Sequence, residues 1–231
     1  MDAVHTNIQP TEMIEEKRLV STLITGVPKA SSFFVAGMTV LFVILTTLLY
    51  WLAPLSTAEL MPAAKNSVFQ EHQWWRLFTA VFIHSDLEHL LSNMLMLGIF
   101  SFFIYGYFGF TIFPMISLLL AAAVNALTIA SYNPETSLLG ASGLVYVLGG
   151  FWLSMYFLIQ RQYLPMNRLI RVVGVALMLF APTTFVPTTS YMAHGIGFLF
   201  GVSAATIYFF INKKNIRQHE VYHVASSQYL G

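Results

Sequence analysis

The sequence predicts an all-α polytopic membrane protein, a bundle of six transmembrane helices, and its charge pattern provides the evidence. Charged residues make up 9% of the 231-residue chain and apolar residues 57%, whereas about a quarter of a typical soluble domain is charged. The charges are also clustered, which leaves uncharged stretches of 29, 46, 25 and 41 residues. These lie between Lys29 and Glu59, Glu88 and Glu135, Glu135 and Arg161, and Arg171 and Lys213. Because a membrane-spanning helix needs about 20 apolar residues, they accommodate one, two, one and two helices.

The basic residues indicate how this bundle is oriented. With a cytoplasmic N-terminus, nine of the 11 lysines and arginines fall in cytoplasmic segments and two in external segments. The nine are Lys17, Arg18, Lys29, Arg161, Arg168, Arg171, Lys213, Lys214 and Arg217, and the two are Lys65 and Arg76. Since cytoplasmic loops carry an excess of Lys and Arg, the N- and C-termini are both expected in the cytoplasm.

Composition also limits the function classes. The chain has no cysteine, so disulfides and thiol chemistry are excluded. The basic residues act as topology signals, so the net charge of +1 gives no indication of nucleic-acid binding. The first 28 residues contain Glu12, Glu15 and Glu16 and no apolar core, unlike a signal or transit peptide. We expect a cytoplasmic segment at 1–29, a membrane domain at 30–211 and a cytoplasmic tail at 212–231.

The six spans have recognisable boundaries. They are expected at about 32–54, 85–109, 110–131, 142–159, 169–185 and 191–211. The fifth is the least clear, because Arg171 lies near one end of its short apolar run and Pro182 near the other. A long external segment, about 55–85, separates the first two spans, and its Trp74 and Trp75 suit the headgroup layer of the bilayer.

The second span begins with a helix-start signal. Ser85 and Glu88 have the spacing of a capping box, with Ser85 as the N-cap residue. His89 and Asn93 then follow at i and i+4, so they lie on one face within the first two turns. Two polar residues so placed in a membrane helix are candidates for a functional site.

The stretch 138–146 contains a serine between glycines, at Gly140, Ser142 and Gly143. Glycine removes side chains that would block a substrate carbonyl, which suits a nucleophile. Small residues also mediate helix packing in membranes, so the pattern alone is weak evidence. Spans two, four and six run in the same direction, which places Ser142 at a depth similar to that of His89, Asn93 and His194. Each could separately be a packing residue, but four polar groups at one depth indicate a shared site.

These motifs resemble those of the rhomboid intramembrane serine proteases over about residues 33–211. The matching residues, in the family's order, are Trp75-Arg76, His84, His89 with Asn93-Met94, Gly140-Ala141-Ser142-Gly143 with Tyr146, and Ala193-His194 with Gly197 and Gly201. Two positions depart from the family pattern. Tyr105 stands where many members carry glutamate, and Thr189 where a glycine often precedes the Ala-His pair.

The resemblance implies a catalytic dyad in which Ser142 is the nucleophile and His194 the general base and acid. It implies that His89, Asn93 and the Ser142 backbone N–H bind the oxyanion, and that Tyr146 packs on the catalytic imidazole. Gly140, Gly143 and His84 would support the site, His84 by shaping the first loop. No cofactor and no metal is expected. The implied substrates are single-span membrane proteins within the lipid bilayer, cut near their outer ends, with a movable fifth span as the entry wall.

Two other functions are open to a polytopic membrane protein with these polar residues. A non-catalytic relative that binds or dislocates membrane helices would lack the serine or the histidine, and both are present. A transporter that relays protons through histidine would need charged residues along the inner half of the spans, where this sequence has none. The compact six-span layout favours a bacterial inner membrane over an organelle, whereas the natural substrates and the oligomeric state do not follow from the sequence.

A rival motif lies near the C-terminus. His219-Glu220-Val221-Tyr222-His223 fits the His-Glu-X-X-His zinc-protease signature, which on a helix would place two imidazoles on one face. It lies beyond the last span, and no following segment offers a third ligand or a cavity wall. A chance match in a polar tail is the favoured interpretation.

Overall fold

The computed structural model describes residues 14–180 and 190–227. Within these ranges the helices are α1 (Ser31–Leu52), α2 (Leu55–Ala58), α3 (Arg76–Thr79), α4 (Leu87–Phe108), α5 (Ser117–Ala130), α6 (Ser142–Ile159), α7 (Pro165–Phe180) and α8 (Tyr191–Arg217). Short 3₁₀-helical turns occur at Leu23–Thr25 and Ala80–Phe82, and π-helical turns at Asn66–Gln70 and Thr111–Ile116. Two strands, β1 (Ile14–Ser21) and β2 (Val221–Ser227), pair antiparallel.

Five described helical segments are long and apolar enough to cross a membrane. They are Ser31–Leu52, Leu87–Phe108, Thr111–Ala130, Ser142–Ile159 and Tyr191–Arg217. Many large apolar side chains on their outer faces are exposed, among them Phe33 and Phe34 on α1 and Leu91 and Leu95 on α4. An apolar outer surface is what a bilayer requires, so the protein is an integral, multi-pass membrane protein, as predicted.

The expected fifth span corresponds to α7, a helix of 16 residues. It begins at Pro165 rather than near 169, because proline is well suited to the first helical position, where its missing N–H costs no hydrogen bond. Residues 181–185 of that expected span lie outside the described residues. The last span is longer than expected, since α8 continues beyond 211 to Arg217.

Helix α6 is the centre of the bundle and packs against α4, α5, α7 and α8. Its tightest partner is α8, and glycine makes this close approach possible. A Cβ atom on Gly197 would lie 2.7 Å from the Gly143 carbonyl oxygen, and one on Gly201 would collide with the Val147 carbonyl. Gly197 and Gly201 therefore form a small-residue surface of α8 that contacts α6.

The bundle has a serine end and a ribbon end. The serine end is the end where α4, α6 and α8 begin, beside Ser142. The ribbon end is the opposite end, where β1 and β2 lie. The segment 55–86 packs as an ordered structure at the serine end, where the buried guanidinium of Arg76 donates hydrogen bonds to the carbonyls of Glu59 and Pro62.

The start of α4 differs from the capping box that the sequence suggests. Asp86, not Ser85, is the N-cap residue, because its backbone is extended and its Oδ1 accepts the His89 N–H at 2.8 Å. Ser85 instead donates its hydroxyl to Asp86 Oδ2 at 2.7 Å. These bonds lower the pKa of Asp86, that from the His89 amide most, so the residue is a carboxylate that stabilises the positive end of the helix.

The terminal segments expected as polar cytoplasmic extensions contain the two paired strands. Lys17 pairs with Val224 and Leu19 with Tyr222. The turn after α8 is fixed by an ion pair between Arg161 and Glu220, with nitrogen and oxygen 2.9 Å apart. This terminal ribbon, residues 14–21 and 221–227, places both described chain ends on the same side of the bundle.

Candidate active site

The turn before Ser142 is held by the segment 55–86. Leu138 and Ala63 exchange two backbone hydrogen bonds, and the Gly140 N–H donates to the Ala80 carbonyl at 2.8 Å. Gly140 has a φ of +121°, a conformation that favours glycine, and its α-carbon faces the His89 ring so closely that a Cβ would lie 2.6 Å from Cε1. Both properties of Gly140 show why this position requires glycine.

Ser142 is the first residue of α6 and is half-buried. The backbone N–H groups in the first turn of a helix have no partner within that helix. They also carry the positive end of the helix dipole. The Ser142 hydroxyl therefore lies beside a donor-rich position suited to negative charge. Gly143 follows, buried against Val124 and Asn125 of α5.

The His84 side chain stabilises this turn through a hydrogen bond. Its fully buried ring accepts the Ala141 N–H at Nε2, 3.2 Å away, and Nδ1 lies 3.2 Å from the Thr47 hydroxyl. Burial, reinforced by the neighbouring His89, lowers the pKa of His84 to about 3. The ring is therefore neutral with its proton on Nδ1, which it donates to the Thr47 hydroxyl. Thr47 in turn donates its hydroxyl hydrogen to the Phe82 carbonyl.

His89 and Asn93 lie on adjacent turns of α4, on the face that meets the serine turn. The His89 ring is half-buried, and its centroid lies 5.0 Å from that of His84 in an edge-on contact. Asn93 is buried and donates one amide hydrogen to the His89 carbonyl at 2.8 Å. An amide nitrogen carries two hydrogens, so Asn93 retains a second donor.

His194 lies in the first turns of α8 and is buried. Its imidazole stacks on the Tyr146 ring, with centroids 3.9 Å apart and planes 13° from parallel. Tyr146 is one turn beyond Ser142 on α6. This stack and the close contact of Gly197 with Gly143 bring the beginning of α8 against the beginning of α6. The structure thus assembles the predicted residues at the serine end.

The N-terminus of α8 has its own fixed position. Ser190 is the N-cap residue and accepts the Ala193 N–H at 3.3 Å. Its hydroxyl also lies 2.6 Å from the Tyr132 hydroxyl, just beyond the end of α5. These contacts hold the turn that carries His194 to a neighbouring helix.

Sequence reasoning missed several supporting residues. Thr47 on α1 orients His84, and the buried Asn125 on α5 donates to the Leu77 carbonyl at 2.9 Å. Both are polar residues within apolar spans, a signal that could have drawn attention to them. Ala63 and Ala80 act only through their backbone groups, so no side-chain pattern could have revealed them.

The two departures from the family pattern are separated from the serine turn or undescribed. Tyr105 packs against the core near the ribbon end of α4, and its carbonyl accepts the Gly109 N–H at 2.9 Å. Thr189 lies outside the described residues.

The zinc-protease motif does not have the geometry that its chemistry needs. Its second histidine, His223, is in β2 rather than on a helix with His219, and Glu220 is bound to Arg161. Within residues 14–180 and 190–227, no three His, Asp or Glu side chains form a group that could hold a metal ion.

The sequence profile of the Rhomboid domain matches residues 71–210. RHOMBOID-like protein 2 of Arabidopsis thaliana is 34% identical over 94 residues, which are 40% of this chain and 29% of that protein. The chain thus aligns with under a third of the length of that relative.

Proposed function

This chain belongs to the rhomboid family, and we propose that it is an intramembrane serine endopeptidase that hydrolyses peptide bonds in or near the transmembrane segments of single-span membrane proteins. One observation carries the proposal. Ser142 starts a central helix on a turn fixed by glycine and by His84, and the His194 imidazole is held one turn away against Tyr146. A nucleophile and a base held on two tightly packed helices form the minimum for acyl transfer.

In the first step the Ser142 hydroxyl attacks the scissile carbonyl carbon while His194 accepts its proton. The carbon becomes tetrahedral and its oxygen becomes an anion. His194, now protonated, donates that proton to the leaving amine as the C–N bond breaks. The Tyr146 ring holds the imidazole in one plane, which limits the orientations that the base can take.

We expect the oxyanion to accept hydrogen bonds from three donors. The Ser142 N–H lies at the start of α6, and His89 and Asn93 approach from α4. Loss of one such donor typically lowers the rate by about 10²–10³. His84 acts indirectly, because its bond to Ala141 N–H orients the peptide that precedes the nucleophile.

The second half of the reaction needs water. His194 removes a proton from water, the resulting hydroxide equivalent attacks the acyl ester, and the Ser142 oxygen leaves with the proton that His194 returns. Water is scarce in the hydrocarbon core, so the site must open to the solvent at the serine end.

The carbonyl groups of a substrate helix are engaged in the hydrogen bonds of that helix, so the segment to be cut must unwind. Preferred substrates therefore carry small residues at the cut and Gly or Pro just beyond it.

The topology that suits this activity has six spans, with α7 as the fifth, and both termini in the cytoplasm. The pairing of β1 with β2 on one side of the bundle supports a common location for the two ends. Because the chain has no cysteine, single cysteines at Lys17 and Lys65 can test it. An impermeant maleimide should label Lys65→Cys but not Lys17→Cys in intact cells, and the reverse result would contradict this orientation.

The expectation of a bacterial inner membrane rests on the compact layout of the sequence, and the plant relative does not support it. We therefore propose an integral membrane location with the serine end facing away from the cytoplasm. Localisation of a tagged chain in its native cells would identify the compartment.

The decisive experiment is labelling of purified protein with a fluorophosphonate, combined with cleavage of a single-span substrate in proteoliposomes. Wild-type protein should be labelled and active, and Ser142→Ala and His194→Ala should each lose nearly all cleavage. Ser117→Ala is a matched control, because Ser117 also begins a helix but lies toward the ribbon end. Normal cleavage by Ser142→Ala would falsify the serine mechanism. A folded wild type that is neither labelled nor active would favour the non-catalytic alternative.

A further inference from the structure

An apolar groove lies on the outer surface between α8 and the segment 112–120, in the half of the bundle nearer the ribbon end. Its volume is about 380 Å³. The lining residues are Ile112, Ile116, Leu120, Phe200, Ser203, Ala204, Ile207, Tyr208, Ile211 and Asn212. The irregular backbone at Phe113 and Pro114 interrupts the helix that forms one wall. None of its lining residues is among the proposed site residues, so the proposed hydrolysis does not use it.

The dimensions of the groove identify what can fill it. Its lining on α8 runs from Phe200 to Asn212, which at 1.5 Å per residue is about 18 Å. One leaflet of the hydrocarbon core is about 15 Å thick, so the groove has the length of one acyl chain. A helix about 10 Å across occupies roughly 1,400 Å³ over the same length, so it could enter this groove only in part.

The polar end of the groove identifies the headgroup. Ser203, Ile207, Ile211 and Lys214 follow one another at spacings of three or four residues, so they lie on one face of α8. The apolar stripe therefore ends in the exposed Lys214, next to Asn212, whose amide donates to the Tyr208 carbonyl and retains a second hydrogen.

The charges around this end are not compensated by a nearby acid of α8. Lys213 and Arg217 flank Lys214, and the nearest acidic residue along the chain, Glu220, is paired with Arg161. The Lys29 amine lies 3.6 Å from the position of a Cβ on Gly109, in the turn from which the 112–120 wall begins. Clustered lysines at a membrane surface attract anionic lipids.

We propose that this groove binds one acyl chain of an anionic phospholipid, with the phosphate of its headgroup at Lys214 and Asn212. The lipid would fill the space between α8 and the 112–120 wall and so support the packing of α8 beside α6. Its binding does not depend on the proposed hydrolysis.

The test uses the full-length protein in phosphatidylcholine nanodiscs that contain a minor fraction of phosphatidylglycerol bearing a diazirine on its acyl chain. After photolysis, mass spectrometry should locate crosslinks at groove residues such as Ile112, Ser203 and Ile207. Ile207→Trp should fill the groove and abolish these crosslinks. Leu199→Trp is the matched control, because Leu199 is a lipid-facing residue of α8 outside the groove, exposed to the same degree as Ile207 (63% against 60%).

The headgroup is tested by competition between phosphatidylglycerol and phosphatidylcholine, measured by native mass spectrometry. Lys214→Gln should lower the preference for phosphatidylglycerol about five-fold, and Lys214→Arg should retain it. Crosslinks spread evenly around the bundle, or unchanged in Ile207→Trp, would overturn the proposal. Crosslinks to a second copy of the chain across the groove would assign it to a protein interface instead. Since these measurements use lipid binding, they remain valid for a protein with Ser142→Ala.

Discussion

The Nε2 atom of His84 accepts a hydrogen bond from the backbone N–H of Ala141, 3.2 Å away, so a fully buried imidazole fixes the peptide before Ser142. This bond needs a neutral ring. A protonated His84 has no lone pair at Nε2 and would present a hydrogen to another hydrogen. The stability of the serine turn is therefore linked to the protonation state of His84.

This linkage predicts that acid destabilises the protein through His84. The pKa of His84 is lowered from 6.5 to about 3, so the unfolded chain takes up the proton first as the pH falls. The contribution of the neutral His84 ring to the free energy of unfolding is fully present above pH 6.5. It decreases toward pH 3, by about 1.4 kcal/mol per pH unit. Urea or thermal unfolding between pH 6 and 4 should show a shallower slope for His84→Gln, whose Oε1 can still accept the Ala141 N–H.

His219→Gln provides the control, because His219 is exposed at the end of α8 and should leave the slope unchanged. Equal slopes for wild type and His84→Gln would show that the buried ring is not the acid-sensitive group.

The stack of His194 on Tyr146 predicts that the aromatic ring of Tyr146 contributes more to activity than its hydroxyl group does. Tyr146→Leu removes the flat surface under the imidazole, and a catalytic group misplaced by about 1 Å can cost up to about 10²-fold in rate. Tyr146→Phe keeps the ring and should retain more activity. The measurement is kcat on a single-span substrate in proteoliposomes, and equal losses in the two variants would argue against a positioning role for the stack.

The sequence predicted the long helices well because their signal is local. Uncharged stretches of sufficient length and clustered basic residues depend only on neighbouring positions. The family was also predicted correctly, since the motifs around His89, Ser142 and His194 are short and ordered. The site residues themselves remain predictions, to be tested by substitution.

What the sequence could not predict depends on contacts between distant segments. The pairing of β1 with β2 joins residues about 200 positions apart, and no local pattern distinguishes such strands from polar tails. The bond between Ala141 and His84 likewise joins distant positions, because a backbone N–H donates to a ring nitrogen 57 residues away along the chain. The N-cap of α4 was misassigned by one residue, because Ser85 and Asp86 are both good caps and only the backbone conformation decides between them.

The packing of α8 on α6 predicts that alanine is destabilising at one of two nearby glycines and tolerated at the other. Gly197→Ala should destabilise the protein by about 1–3 kcal/mol, because its Cβ would lie 2.7 Å from the Gly143 carbonyl oxygen. Gly195→Ala meets nothing within 4 Å and should stay within about 0.5 kcal/mol of wild type. Thermal unfolding in detergent compares the two, and similar values would show that the helices are not in close contact there.

The zinc motif and the terminal ribbon predict two separate responses. Chelators should leave cleavage unchanged, because His223 lies in β2 and Glu220 is bound to Arg161. Deletion of residues 221–231 removes β2, so it should lower the thermal midpoint while leaving the serine end active. Activity lost in chelator and restored by zinc would return the metalloprotease hypothesis.

A substrate helix is expected to reach Ser142 by a route that passes α7. Helix α7 packs against α6 and is pinned near the ribbon end, where Arg168 donates to the Phe157 carbonyl at 2.6 Å and Arg171 to the Tyr156 hydroxyl at 3.0 Å. Toward its other end α7 presents exposed apolar residues such as Leu177. A helix held firmly at one end can swing at the other, so we expect α7 to act as the movable wall of the site.

Leu177→Ala should therefore speed cleavage of a membrane-embedded substrate several-fold, because it removes the covered part of that side chain near the free end of α7, and lids of this kind often limit the rate. Leu199→Ala on α8 is the control, since both leucines are 63% exposed. A bifunctional maleimide joining Leu177→Cys to Leu91→Cys on α4 provides the opposite test. It should block the embedded substrate while a short soluble peptide is still cut. If the cross-linked protein processes both substrates normally, entry does not pass between α4 and α7 and must come from the aqueous face of the serine end.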